Sequence, residues 1–370
     1  SLTRQHLEPT VEQATKIWME GKDDSGVVET YRRSSYHKVA FIVSCAMLMV
    51  VSIVSAIGLG PVKIGFIESI QTLISHMVGE ISDPLNDYFI WEGRLPRALM
   101  GVLTGAGLAI GGCVMQSILH NNLADSYTTG ISAGAGFGAT IAFIAGITLT
   151  TGAYAVVLNA FVFSLIPTFI ILIISKMKGG SPLVMVMSGI ALMYMFNAIS
   201  AILKIMADPN DLAALYAWQL GSISSCSWDE VTLVFIILVP CVLALQMLTS
   251  RVNLLSSGDD YAKSMGVDVT RLRNICLLII TVMTATLVSF TGLIGFVGLV
   301  APHICRMFIG SDNRYLLPAS AFLGALIVVL ADTVGKVAFQ PYELQVGIIT
   351  AFLGAPLFLY LILRSKKTSW

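Results

Sequence analysis

Arg94 and Arg97 stand three residues apart around Leu95 and Pro96, at the head of an apolar run. Proline suits the first turn of a helix, where its missing N–H costs nothing, so both cations fall at a helix start. Positive charge there opposes the helix dipole, and local stability does not explain the pair. Snorkelling to lipid phosphates is one chemistry open to them. A second polar group, Asp259, Asp260 and Lys263, precedes Gly266, a residue type able to end a short helix. It is either a docking element or a solvated turn. Catalytic chemistry finds no support. Gly335-Lys336 is followed by Val337 and Gly21-Lys22 by Asp23, so no phosphate-binding loop is expected. The 6 cysteines form no CxxC pair and sit mostly inside apolar runs, as core filler does. The 5 histidines are scattered, and His303 fits a packing role better than a ligand role. No catalytic residue and no metal-ligand set is expected.

The elements that carry these residues belong in lipid. Hydrophobic residues make up 56% of the 370 and charged ones 12%, against about 25% charge in a soluble domain. Mean hydropathy is +0.82. The net charge of zero argues against a nucleic-acid partner. A run of about 20 apolar residues spans a bilayer. Ten such runs are expected, near 39–59, 96–119, 128–149, 153–175, 183–206, 231–249, 273–291, 294–309, 315–334 and 344–363. Residues 39–370 therefore form one transmembrane domain, all-α, with ten transmembrane helices. Residues 1–38 read as a polar cytoplasmic tail, with one short amphipathic helix around Val11, Ala14, Ile17 and Trp18, a loop at Asp23, Asp24, Ser25 and Gly26, and no cleavable signal peptide. Between the first two spans, Ile64, Ile67, Ile70, Leu73, Ile74, Met77 and Ile81 recur at helical spacing, the pattern of an amphipathic helix on the outer surface. With both termini cytoplasmic, 17 of the 22 basic residues lie inside, and Lys63, Arg94, Arg97, Lys204 and Lys336 outside. The reverse orientation breaks the positive-inside rule. A multi-pass protein of the cell (cytoplasmic or inner) membrane is expected.

The most informative stretch is RLPRALMGVLTGAGLAIGGCVMQSILHNNLADSYTTGISAGAGFG, residues 94–138. On a helix Gly101, Gly105 and Gly112 share one face, and Gly107 and Gly111 another. Small residues at this spacing let helix backbones approach closely in lipid. The stretch resembles the FecCD-type permeases of ATP-driven importers for iron–siderophore, haem and cobalamin complexes. Their pattern runs RLPR…GxxLxxSGxxxQxxxxNPLAxPxxLGxSxGAxxGA. Asn122 and Ser126 depart from it, standing where the family usually has proline. The resemblance continues through WQLGSISSCSW (218–228), GDDYAKSMGVDVTRLR (258–273), GLIGFVGLVAPHICR (292–306), DNRYLLP (312–318) and ELQVGIITAFLGAPLFLYLI (343–362).

This resemblance implies a type II ABC importer permease architecture. It implies a homodimer working with two ATP-binding subunits and a soluble substrate-binding protein, ATP being bound by the partner ATPase and no cofactor by this subunit. Arg94, Arg97 and Lys336 would then dock the binding protein. The loop carrying Asp259, Asp260, Ala262, Met265 and Gly266 would couple to the ATPase. Asn121 and Leu123 would form the cytoplasmic gate, and Ser188, Asn197 and Ser200 the pathway wall. That wall is sparse in polar groups, which suits a bulky preassembled chelate, iron–siderophore or haem, with cobalamin as the alternative. Asp332 could instead pair with Lys336, four residues on. An ion-coupled secondary transporter would want an ionisable residue at mid-span, and residues 96–206 offer none that convinces. A membrane-embedded enzyme would need a nucleophile–base or metal set, which is equally missing.

Overall fold

A computed structural model describes residues 24–60, 64–79, 83–340 and 342–364. The expected tail helix around Val11–Trp18, together with Asp23, Lys63, Glu80, Ile81, Lys366 and Lys367, lies outside the described residues. Every regular element among those described is helical. In chain order these are α1 (Asp24–Gly58), α2 (Phe66–Val78), α3 (Pro84–Ile118), α4 (Ile131–Ala145), α5 (Ala155–Lys178), α6 (Pro182–Ile205), α7 (Pro209–Gln219), α8 (Trp228–Ser256), α9 (Asp259–Ser264), α10 (Val269–Thr291), α11 (Val297–Ile309), α12 (Asn313–Val337) and α13 (Val346–Arg364). Seven of them, α1, α3, α5, α6, α8, α10 and α12, are long and apolar enough to cross a membrane, and α4, α11 and α13 are shorter apolar helices. Together they occupy the ten expected runs.

Helix α3 is the centre of the assembly, packed by α8, α10, α11 and α12. Its glycines permit that crowding. A Cβ on Gly105 would run into the Gly324 carbonyl of α12, and one on Gly112 into the Gly298 carbonyl of α11. Dispersion between closely approached backbones replaces the hydrophobic effect as the force holding helices together in lipid. Helix α2 forms as its periodicity predicts, with Glu68 capping Gly65 N at 3.3 Å and Ile67, Ile74 and Met77 exposed.

Three boundaries differ from expectation. Helix α1 begins at Asp24, so residues 24–38 extend the first helix rather than belonging to a tail. The third run shrinks to α4, preceded by a 3-10 turn (Ser126–Thr129) and closed by Gly146 in the left-handed region at φ 65°. The eighth run begins only at Val297, after Phe296 at φ 67°. A helix of 13 residues reaches about 20 Å, less than the ~30 Å hydrocarbon core. Irregular backbone makes up the difference and is tolerated at such depth only when buried in protein. Here the Tyr127 hydroxyl donates to Ile294 O at 3.1 Å and accepts from Ile294 N at 3.2 Å. Ser222 N donates to Thr291 O at 2.7 Å, and Gly347 N to Gly221 O at 3.2 Å.

Candidate functional site

Helix α9 stands between α8 and α10 at the end expected to be cytoplasmic. Gly258, at φ 124°, opens it, and Gly266, at φ 81°, closes it by donating its N–H to Lys263 O at 2.9 Å. Ala262 is buried beneath the helix, whereas Asp260, Met265 and Gly266 are exposed. Asp259 points back into the chain. Its Oδ1 accepts from Arg273 Nη2 at 2.7 Å and lies 2.9 Å from His120 Nε2. Burial by itself would raise the Asp259 carboxyl, but hydrogen bonds from His120 and Arg273 outweigh it and hold the group below the usual carboxylate range.

Arg273 is the junction. Only 1% exposed, it donates through Nε to Ile118 O and through Nη1 to Gly180 O, each at 2.8 Å. One guanidinium thus ties the end of α3, the α5–α6 turn and the exposed short helix into a single unit. The sequence motifs point to the loop but not to His120 and Arg273 as its anchors. Their signal is a charged side chain at the inner edge of an apolar run.

The elbow after α3 is shaped by His120 in the left-handed region, at φ 50°. Asn121 N donates to Gln116 O at 3.1 Å, and Asn121 Oδ1 accepts from Leu123 N at 2.9 Å. Leu123 is 46% exposed, held at the tip of a braced turn with its side chain outside its own chain's core. Asp125 caps the following 3-10 turn by accepting from Tyr127 N and Thr128 N at 3.1 and 3.0 Å. Of the expected wall on α6, Asn197 is exposed and Ser188 half-buried. Ser200 is buried against its own chain, a correction that follows from α6 packing that face onto α4 and α5. The open face of α6 carries instead Leu183, Met187, Ile190, Tyr194 and Ile202.

The outer cations also call for correction. Arg94 is 8% exposed and donates Nη1 to Ile57 O at 2.8 Å, which ties α3 to the end of α1. Lys336 is 2% exposed and pairs with Asp332 at 2.7 Å, as the four-residue spacing allowed. Arg97 shares that same carboxylate at 2.9 Å and reaches Glu343 at 3.0 Å. Three exposed docking cations are therefore not what the fold presents, because the chain answers them with its own carbonyl and acids. Of this ion-pair cluster, only the rim of Arg97 and the exposed Glu343 reach the surface.

The sequence pattern of the FecCD transport family matches residues 48–364. The chain is 34% identical over 337 residues to the Fe(3+)-citrate import system permease protein of Bacillus subtilis, covering 90% of this chain and 97% of that one. It is 34% identical over 284 residues to the hemin transport system permease protein of Yersinia pestis, covering 76% and 85%. Identity to the molybdate import system permease protein of Haemophilus influenzae is 30% over 335 residues, covering 90% and 97%. Among solved structures, a metal-chelate type ABC transporter in an inward-facing conformation matches with TM-score 0.77 at 29% identity, covering 88% of this chain and 99% of that one. With its helix order, its glycine-packed α3 and these likenesses over most of its length, the chain belongs to the FecCD transport family and is a multi-pass permease of the metal-chelate type of ABC importer.

Proposed function

We propose that this permease moves an iron–siderophore or haem chelate inward, as a homodimer served by two separate ATP-binding subunits and a soluble binding protein. The observation that carries the reading is the Arg273 junction. An exposed helix that docks an ATPase must pass its displacement to the spans, and Asp259–Arg273 links α9 directly to the ends of α3 and α5. The open face of α6 supports the substrate class. Apolar and Met-rich with few polar groups, it suits sliding of a preassembled chelate and offers little to strip a bare ion. ATP belongs to the partner subunits. Glu343 and Arg97 lie in a part of the outer end available to a binding protein.

The test is reconstitution with a cognate ATP-binding subunit and binding protein, followed by uptake into ATP-loaded proteoliposomes. Ferric citrate, ferric hydroxamate, haem, cobalamin and molybdate are offered in parallel. ATP-dependent accumulation of an iron chelate or haem is expected. Accumulation of cobalamin or molybdate alone overturns the substrate, and accumulation driven by an ion gradient without ATP overturns the mechanism.

A further inference from the structure

Below the elbow, a cavity of about 230 Å³ is lined by polar side chains from the ends of α3, α8 and α11 and from the turn before α12. Two of its groups lack partners. Arg306, on the last turn of α11, buries Nη1 with nothing to accept its proton, and among the described residues it forms no ion pair. Gln116 is 2% exposed and its Oε1 has no donor. The acids nearest in the chain are committed elsewhere. Asp259 holds His120 and Arg273, while Asp312 holds Arg314 and Asn253. Buried polar groups are almost always satisfied, and an orphan calls for a physical reason. A cationic nitrogen held out of water without an acceptor is among the costliest.

The two orphans state what would satisfy them. Arg306 Nη1 needs a strong acceptor. Gln116 needs a donor, because its Nε2 is directed at Gly298 O (3.4 Å), and a carbonyl can only accept, which fixes the amide's orientation. A singly protonated phosphate presents both, an anionic oxygen and a P–OH. Ser311, exposed at the cavity rim, adds a hydroxyl. Sulfate matches the charge and lacks the proton.

We propose that this cavity binds a phosphate group, either inorganic phosphate or the monoester headgroup of a lipid such as phosphatidic acid. His120, which also lines the cavity, pairs with Asp259 of α9. A bound phosphate therefore braces the elbow against the exposed helix. The site does not depend on which chelate is transported.

The test uses the full-length permease in phosphatidylcholine nanodiscs, titrated with inorganic phosphate or sulfate at constant ionic strength. Thermal shift and equilibrium binding of radiolabelled phosphate are the readouts. Phosphate is expected to bind saturably and more tightly than sulfate. Arg306→Gln should weaken it by about tenfold or more, the loss of a charge-assisted hydrogen bond. Gln116→Glu guards against a folding artefact. It places a carboxylate in the cavity and gives up the donor to Gly298 O, so the protein should melt somewhat lower than wild type, remain monodisperse and fail to bind phosphate. Nanodiscs containing phosphatidic acid identify the source: a raised melting temperature with exclusion of soluble phosphate points to the lipid, and an unchanged phosphate titration points to the free ion. Absence of saturable binding in both arms overturns the site, as does a Gln116→Glu variant that binds phosphate like wild type.

Discussion

At the scale of single residues, Asp332 shows how burial changes what a charge does. It accepts from Arg97 and is ion-paired to Lys336 in a setting with almost no water. Removing one partner from a buried pair costs about 3–5 kcal/mol, because the other is left uncompensated, whereas replacing the whole pair by apolar groups is often neutral. Asp332→Asn should therefore melt well below wild type, and the double change Asp332→Leu with Lys336→Met should recover part of the loss, Arg97 keeping Glu343 as its partner. A double variant no better than the single would mean the pair contributes net stability. Glu343→Gln, at the exposed end of the cluster, should change stability by only about 0.2–1 kcal/mol. Arg94→Glu would set a carboxylate against the Ile57 carbonyl, so its effect should be on folding rather than on docking. Asp125 offers a pH test. Burial raises its carboxyl from 3.8 to about 6, outweighing the N–H donors of Thr128 and Tyr127. A carboxyl raised in the fold contributes stability below its unfolded pKa and loses that contribution as pH rises through about 6. Melting temperature should thus fall between about pH 4 and about pH 6, and Asp125→Asn should flatten part of that slope. An identical slope in the variant would remove Asp125 from the elbow's energetics.

At the scale of elements, legibility divides along what lipid dictates. The ten apolar runs are visible because a bilayer fixes helix length and hydropathy. The α3 crossings are visible because Gly105 and Gly112 leave a spacing that only close packing uses. Gly105→Ala should destabilise by about 1–3 kcal/mol, the usual cost of overpacking, since its Cβ meets backbone of α12 that cannot yield. Gly101→Ala should be milder, because it meets the side-chain ends of Ile223 and Val329. Illegible features rest on distant partners. Arg97 finds Asp332 across 235 residues, and nothing local announces that the outer cations turn inward. The short starts of α4 and α11 depend likewise on Tyr127 meeting Ile294. Helix α9 lies between these cases. Gly266 marks its end in the sequence, but the Arg273 junction is tertiary. Gly266→Pro would lose both the donor to Lys263 O and the positive φ, so it should distort α9 while the spans stay assembled. ATPase activity of the reconstituted complex should then lose its stimulation by loaded binding protein, and retained stimulation would reduce α9 to a connector.

At the scale of the whole molecule, the question is what covers the elbow. Its backbone is fastened on both sides, by Asn121 to Leu123 N and by Asp125 to Tyr127 and Thr128, and His120 anchors it to α9. Leu123 is left projecting from a rigid support, nearly half exposed, with no apolar neighbour of its own chain required to hold it. We propose that its counterpart across the axis of a dimer supplies that neighbour, so that the two would close the cytoplasmic end of the pathway by apolar contact. Asn122 and Ser126 keep backbone freedom that proline would remove, so this elbow should open with less resistance than one flanked by prolines. Leu123→Ala therefore separates fold from gate. Within the single chain it should change stability by no more than about 0.5 kcal/mol, as surface changes usually do. Across the axis it deletes a side chain worth roughly 1.5–3 kcal/mol when fully buried. Proteoliposomes preloaded with ferric citrate and lacking ATP should leak faster with Leu123→Ala than with wild type, while cross-linking still traps the dimer. Vesicles that hold their load equally well would make Leu123 a packing residue and place the gate elsewhere on the pathway.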